Sequence, residues 1–244
     1  MATPTTLILE RRRFDRRLYL AAAILFAVIV LAGFGPTYYL KSWFATPPLP
    51  GLVHVHGLVM TAWVLLFIAQ VRLIAANSIR LHQRLGYFGV GLGALIVATG
   101  VPTALAAAKY GSASFPPDIP PLSFVAVPLF DLLMFVGFFG AAVYYRRAAA
   151  THKRLMLLTA INFLPPAIAR IPIASLQAFG PLWFFGLPTA MALLVLVLDA
   201  RRHGQVNKVF AVGTLLLVAS YVVRLALMMT AAWTNFATWL ITFV

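Results

Sequence analysis

The feature that most constrains this chain is the recurrence of long apolar runs. A helix needs about 20 residues to cross about 30 Å of hydrocarbon at about 1.5 Å per residue. The 244-residue chain holds seven runs of about that length, separated by Arg-rich or Pro/Gly-rich breaks. The sequence therefore predicts an all-α polytopic transmembrane bundle, with spans at 18–40, 52–73, 86–108, 122–145, 155–178, 182–199 and 209–232.

The composition excludes a water-soluble enzyme and a disordered chain. Hydrophobic residues make up 62% of the chain and charged residues 10%, whereas soluble domains have about 45–50% and about 25%. Because the chain has no cysteine, disulfides, thiolate metal sites and iron–sulfur clusters are excluded as well. We divide the chain into a basic N-terminal segment, residues 1–17, and a single transmembrane helical domain, residues 18–244.

The basic residues predict the orientation of the bundle. The formal net charge is +14, and 15 of the 19 Lys and Arg residues lie in the N-terminal segment and in alternate breaks, whereas the intervening breaks hold only Lys41 and Lys109. Cytoplasmic loops are the ones rich in Lys and Arg. We therefore expect a cytoplasmic N-terminus and, with seven spans, an external C-terminus. Because the basic excess reflects topology, no nucleic-acid partner is expected.

Charged residues deep in a membrane face the bundle interior and are the first candidates for function. The sequence places three of them deep: Asp131, Arg170 and Arg224, each about 14 or 15 residues from the inner end of its span. At about 1.5 Å per residue, all three lie about 21–23 Å above the inner edge. His56 falls at the same level and His54 one step higher. We therefore predict a ligand-binding pocket in the outer half of the membrane, formed by these five residues.

The predicted pocket lacks an anion. Two guanidinium groups and one carboxylate leave a positive charge that an apolar interior disfavours. The balancing group could be Asp118 from the PPDIPP loop, a lipid phosphate or the carboxylate of a small anionic ligand. Arginine binds such planar anions through two parallel hydrogen bonds. The alternative is that Asp131 pairs with one arginine and holds the bundle together.

His54 and His56 form a candidate metal site. On a regular helix, residues i and i+2 point about 200° apart and cannot share one ion. The preceding TPPLPG segment breaks helices, so an extended chain at His54 would bring both rings to one side. With Asp131 as the third ligand, zinc or copper would suit the site. The alternative is an interfacial pair of histidines that bond to loop carbonyls.

Two further histidines, His82 and His152, each stand at the start of a helix on the predicted cytoplasmic side. A haem b held between these two imidazoles is one hypothesis. Solvated loop residues are the alternative, and the position of both histidines at the edge of the bilayer favours it.

Three segments, HVHGLVMTAW, SIRLHQRLGYFG and THKRLMLL, carry a family resemblance. From about residue 52 to the C-terminus, the chain resembles uncharacterised bacterial polytopic inner-membrane proteins with HGxxxxAW, LHxRLG and HKRLM motifs. It is similar at a greater distance to cytochrome-b-type and oxidase-assembly membrane proteins, in which histidines at helix starts ligate haem or copper. The resemblance implies a bacterial inner membrane and points to His56, His82, His152 and Arg170. The paired mid-helix histidines of a di-haem bundle are missing here.

Three functions remain open at this point. The first is a redox or cofactor-handling protein whose outer pocket binds a small anionic or metal-containing ligand. The second is a small-solute or proton-coupled transporter, in which the fifth span, kinked by Pro165, Pro166 and Pro172, acts as a gate. The third is a structural membrane subunit. We predict no catalytic residues, because the sequence has no nucleophile elbow and no HExxH motif.

Overall fold

A computed structural model describes residues 4–112, 115–116 and 118–244. Over these ranges the chain is helical and contains no β-strand, as predicted. Four of the helices are single turns, and a π-helical turn at Gly35–Tyr39 extends α1. The helices are α1 Pro4–Phe34, α2 Gly51–Ala75, α3 Ile79–Tyr110, α4 Pro121–Phe124, α5 Ala126–Tyr144, α6 Ala149–Asn162, α7 Pro165–Ile168, α8 Ala174–Gln177, α9 Pro181–Phe184, α10 Gly186–His203, α11 Lys208–Leu227 and α12 Ala231–Leu240.

Six helical segments of the described chain are long and apolar enough to cross a membrane, so the chain is a multi-pass integral membrane protein. They correspond to six of the seven predicted spans. Large side chains such as Leu31, Leu58 and Leu215 are more than half exposed on these segments, as expected of residues that face lipid. The segments are Arg13–Tyr39, Gly51–Ala75, Ile79–Tyr110, Pro121–Tyr144, Pro181–His203 and Lys208–Leu227.

The remaining predicted span, residues 155–178, is not one continuous helix. α6 ends at Asn162, and from there to Gln177 the chain forms only single helical turns and bends. Pro165 and Pro166 explain the break, because proline has no N–H to donate and disfavours helical backbone in the residue before it. The sequence indicated a bend here, but the structure shows a helix that ends.

α6 is the innermost helix of the bundle. It has 14 residues, and every residue from Leu157 to Asn162 is buried. α5 packs along its length, and α1, α10 and α11 also contact it. A helix with apolar residues on all sides is expected at the centre of a bundle rather than at its surface. Side chains of α6 are therefore the ones that meet partners from several other helices.

Contacts between helix ends show which ends lie together. Lys153 of α6 pairs with Asp15 of α1 at 2.5 Å, and Arg154 of α6 pairs with Asp199 of α10 at 2.7 Å. The start of α6, the first half of α1 and the end of α10 therefore meet, and we call this the inner end of the bundle. At the opposite end of α6, the Asn162 side chain donates a 2.8 Å hydrogen bond to the backbone oxygen of Asp131.

α1 is continuous from Pro4 to Phe34, so the predicted boundary between residues 17 and 18 falls inside a helix. Near its C-terminal end, α1 touches the backbone of α7. A Cβ atom at Gly33 would lie 2.0 Å from the carbonyl oxygen of Ala167. Because that oxygen belongs to the backbone, it cannot rotate away as a side chain would. Only glycine allows α1 and α7 to approach this closely.

The substitution Gly33→Ala is expected to destabilise the bundle by about 1–3 kcal/mol, because overpacking forces rigid elements apart. The midpoint of thermal unfolding in detergent micelles measures the effect. Gly35→Ala is the matched control, since a Cβ atom at Gly35 meets nothing within 4 Å. Equal midpoints for the two variants would show that the contact between α1 and α7 is not tight.

Candidate functional site

Asp131 and Arg224 form a buried ion pair between α5 and α11. The Arg224 Nη1 atom lies 2.5 Å from Asp131 Oδ1, and the side chains are 0% and 8% exposed for Arg224 and Asp131, respectively. Arg224 also donates to the backbone oxygen of Ser220 at 3.2 Å and to its hydroxyl at 3.1 Å. The structure thus brings together two of the five residues predicted for the outer pocket, and it pairs them one to one.

Three aromatic rings surround the Arg224 guanidinium. Its central carbon lies 5.1–5.6 Å from the ring centres of Phe130, Phe185 and Tyr221. A guanidinium over an aromatic face gains about 0.5–2 kcal/mol, more when it is desolvated. Arg224 therefore has stabilising partners besides the Asp131 carboxylate. We call the group formed by these residues the outer polar cluster: Asp131, Arg224, Ser220, Tyr221 and Asn162.

Arg170, also predicted for this pocket, lies elsewhere. Its guanidinium stacks 5.0 Å from the Phe34 ring and donates to the backbone oxygen of Pro166 at 2.6 Å. Within the described residues it forms no ion pair, and the same is true of the exposed Asp118. The pair of Asp131 and Arg224 is therefore neutral by itself, and the positive charge without a carboxylate partner lies at Arg170.

The prediction of extended backbone at His54 is wrong, because α2 begins at Gly51 and both histidines are helical. His54 and His56 therefore project in different directions and cannot share an ion. The His56 Nδ1 atom lies 3.0 Å from the Thr99 hydroxyl of α3. His54 lies beside Tyr38, with ring centres 5.8 Å apart.

A second buried ion pair lies at the inner end, where the sequence analysis predicted none. Arg154 binds both carboxylate oxygens of Asp199, at 2.7–3.0 Å. Their side chains are 4% and 1% exposed. The His203 Nδ1 atom donates to the Asp199 backbone oxygen at 2.9 Å, and its Nε2 lies 3.7 Å from Asp15. We call the group formed at this end the inner polar cluster: Asp15, Lys153, Arg154, Asp199 and His203.

The sequence analysis did not single out the inner polar cluster, because Asp199 is the last residue of the predicted span 182–199 and stands beside a run of basic residues. One signal in the sequence could have found it. Asp199 directly follows an uninterrupted apolar run and precedes His203 by four residues, which places both on one face if the helix continues. Asp199 is thus a second buried carboxylate, located at the inner end of its span and not at the level of Asp131.

Asp15, Asp199 and His203 also present ligand atoms within 4.8 Å of one another, and they are the only such group of three in the described part of the chain. A metal ion does not suit them, because Arg154 already occupies both oxygens of Asp199 and Lys153 pairs with Asp15. Two cations balance two carboxylates here. The arrangement is an ion-pair network.

One enclosed polar atom lies between the two clusters, and two more belong to the outer polar cluster. Arg154 and Asn162 are eight residues apart on α6, or about 12 Å. Thr214 of α11 lies near the midpoint, because a Cβ atom at the adjacent Gly213 would come within 2.4 Å of Leu158 Cδ1. The Thr214 hydroxyl, the Asn162 carbonyl oxygen and the Tyr221 hydroxyl are enclosed and have no hydrogen-bond partner among the described residues.

The two histidines predicted to clasp a haem lie together. The rings of His82 on α3 and His152 on α6 have centres 6.3 Å apart and planes at 82°. His152 Nδ1 lies 2.8 Å from the backbone oxygen of Ala142. The structure places His82 and His152 side by side on two helices and not in separate solvated loops.

Replacing Arg154 by Met should lower the free energy of unfolding by about 3–5 kcal/mol, because the Asp199 carboxylate is left buried without a counter-charge. Arg202→Met is the control, since Arg202 pairs with Glu10 at the surface, where their side chains are 34% and 51% exposed, and should cost about 0–1 kcal/mol. Unfolding titrations of both variants measure the difference. The double variant Arg154→Met, Asp199→Leu should recover most of the loss.

No protein-family model, curated protein or solved structure matches this chain. We therefore infer the function from the two polar clusters and from the enclosed polar atoms of Thr214, Asn162 and Tyr221.

Proposed function

We propose that this chain is a proton-coupled carrier of a small solute, and that Asp131 and Asp199 take up and release the coupled proton. One observation carries the proposal: two buried carboxylate–guanidinium pairs lie at different depths of the same helix group, α5, α6, α10 and α11. Ionisable residues within a membrane are costly, and in pumps and transporters they form proton relays.

The topology that this proposal requires has seven crossings. Besides the six long segments, α6 and the single turn α7 would together form one further crossing, the fifth in chain order. It would lead from the inner end to the level of Ile168, whose backbone oxygen accepts a hydrogen bond from Trp183 of α9. By the positive-inside rule the inner end is cytoplasmic. The N-terminus then lies in the cytoplasm, the C-terminus lies outside, and the membrane is the bacterial inner membrane implied by the family resemblance.

The surroundings of Arg224 permit Asp131 to change its charge. When a carboxylate in an isolated buried pair is protonated, the guanidinium is left without a partner, which is strongly unfavourable. Arg224 has hydrogen bonds to Ser220 and three aromatic neighbours besides the carboxylate. Arg154 likewise donates to the backbone oxygen of Ala150 at 2.5 Å. When its carboxylate is protonated, each guanidinium would retain these partners, which reduces the cost of opening the pair.

We infer that the route passes Thr214, between the pairs, and the enclosed polar atoms of Asn162 and Tyr221 at the outer pair. Enclosed polar atoms cost about 1–3 kcal/mol when unsatisfied, and ordered water is their usual partner. Water beside Thr214 would link Arg154 to Asn162 and Tyr221, over the distance of about 12 Å between Arg154 and Asn162. The solute would enter where α6 ends, because interrupted helices line the binding sites of many transporters.

Proton movement in proteoliposomes tests this function. The purified chain is reconstituted with an entrapped pH-sensitive dye, a pH gradient is imposed, and pools of small metabolites are added outside. We expect at least one pool to accelerate the change in internal pH. Asp131→Asn and Asp199→Asn should abolish the acceleration, because an amide cannot carry the proton.

Asp118→Asn is the matched control, since Asp118 is exposed and outside both clusters, and it should behave as the wild type. Correctly folded wild-type protein that responds to no pool, or the retention of the response in both cluster variants, would contradict the carrier function. The protein would then be assigned the structural role, in which the ion pairs only stabilise the bundle.

A redox or cofactor-handling role is the second candidate, and the pairing of His82 with His152 favours it. Two facing imidazoles can serve as axial ligands of a haem b iron. The visible absorption spectrum of the protein purified from membranes distinguishes the candidates, because haem gives a Soret band and the proton carrier requires no chromophore.

A further inference from the structure

We propose that His82, His152 and Gln70 form a binding site for a single transition-metal ion, Zn²⁺ or Cu²⁺, where α2, α3 and α6 meet near the inner end. The site is separate from both polar clusters and does not depend on the carrier function. Imidazole nitrogen is the preferred protein ligand of these two ions after thiolate, which this chain lacks.

The separation of the rings fits a shared ion. A metal–nitrogen bond is about 2.0–2.1 Å, which places the centre of an imidazole ring about 3.2 Å from the ion. Two rings on one ion therefore have centres about 5–6.4 Å apart, from tetrahedral to linear geometry. The centres of His82 and His152 are 6.3 Å apart, close to the upper end of this range, so a four-coordinate ion would draw the two rings about 1 Å closer together.

The backbone of α5 fixes the proton of His152. A carbonyl oxygen can only accept, so the 2.8 Å contact between His152 Nδ1 and Ala142 O places the proton on Nδ1. The lone pair is then on Nε2. A histidine that binds a metal ordinarily donates its other ring N–H to a carbonyl or carboxylate in this way. His152 is thus held in the tautomer and orientation that a metal ligand requires.

Two further ligand atoms are enclosed without a partner. His82 Nδ1 and Gln70 Oε1 are both buried and have no hydrogen bond within the described residues. The Gln70 amide lies at the same turn of α3, because its Nε2 donates to the backbone oxygen of His82 at 3.2 Å. That bond also fixes the amide orientation and leaves Oε1 free. An ion bound by both atoms removes the cost of leaving them unsatisfied.

The nearest cations of α3 do not oppose an ion at this position. Arg80 and Arg84 stand two residues before and after His82, so they project to the other side of the helix. Both are exposed. An open surface cleft of about 470 Å³, lined by residues 77–81, adjoins the turn before His82. A water molecule would serve as the fourth ligand.

Titration with Co²⁺ tests the site, because Co²⁺ replaces Zn²⁺ and its visible spectrum reports the ligand geometry. The full chain is purified with a tag free of histidine, stripped with a chelator and titrated. We expect about one equivalent of Co²⁺ per chain, with the bands of a four- or five-coordinate complex. His82→Ala and His152→Ala should each abolish this spectrum, and Gln70→Leu should weaken binding about tenfold.

His54→Ala is the matched control, because His54 lies at a helix start beside Tyr38 and away from this pair, and it should bind as the wild type. Size-exclusion profiles and circular dichroism establish that each variant is folded. Stoichiometric binding that survives in folded His82→Ala or His152→Ala protein overturns the proposal, as does the absence of binding in the wild type. A Soret band before stripping that is lost in both variants assigns the histidines to haem iron and likewise overturns it.

Discussion

The bundle depends on the pairing of charges in a medium that cannot solvate them. A lone buried charge in an apolar interior is far more costly than any single packing contact, so each buried arginine must meet its carboxylate when the helices assemble. Arg154 and Asn162 place α6 against Asp199 of α10 and Asp131 of α5, and Arg224 brings α11 to the same level. Polar contacts to or beside one short buried helix, α6, therefore fix the positions of three others, α5, α10 and α11.

The sequence predicts the spans well because hydrophobicity and length are properties of continuous segments. Six of the predicted spans correspond to helices of suitable length. The level of Asp131 and Arg224 could also be predicted, since the rise per residue converts position into depth. The separation of Arg170 from this pair could not, because depth gives no information on which side of a bundle a residue faces.

Two other differences have local causes. Asp199 is buried although its neighbours are basic, since the burial of a residue at a helix end is decided by what packs against it, here Arg154. His54 is helical because the extended segment ends at Pro50 (φ −57°, ψ 150°) and α2 begins at Gly51. The meeting of His82 with His152 depends on how α3 and α6 pack, although both histidines were recognised as residues at helix starts.

The position of Asp15 has a consequence for how the chain is made. α1 is synthesised before α6 and α10, so the residue that pairs with Asp15, Lys153, is made 138 positions later, and the neighbouring His203 is made later still. Until α6 has been synthesised, the Asp15 carboxylate has no Lys153 to pair with and needs to stay at the aqueous boundary, where water can solvate it. The inner end therefore closes late in biogenesis, when α1 and α10 come together in one bundle.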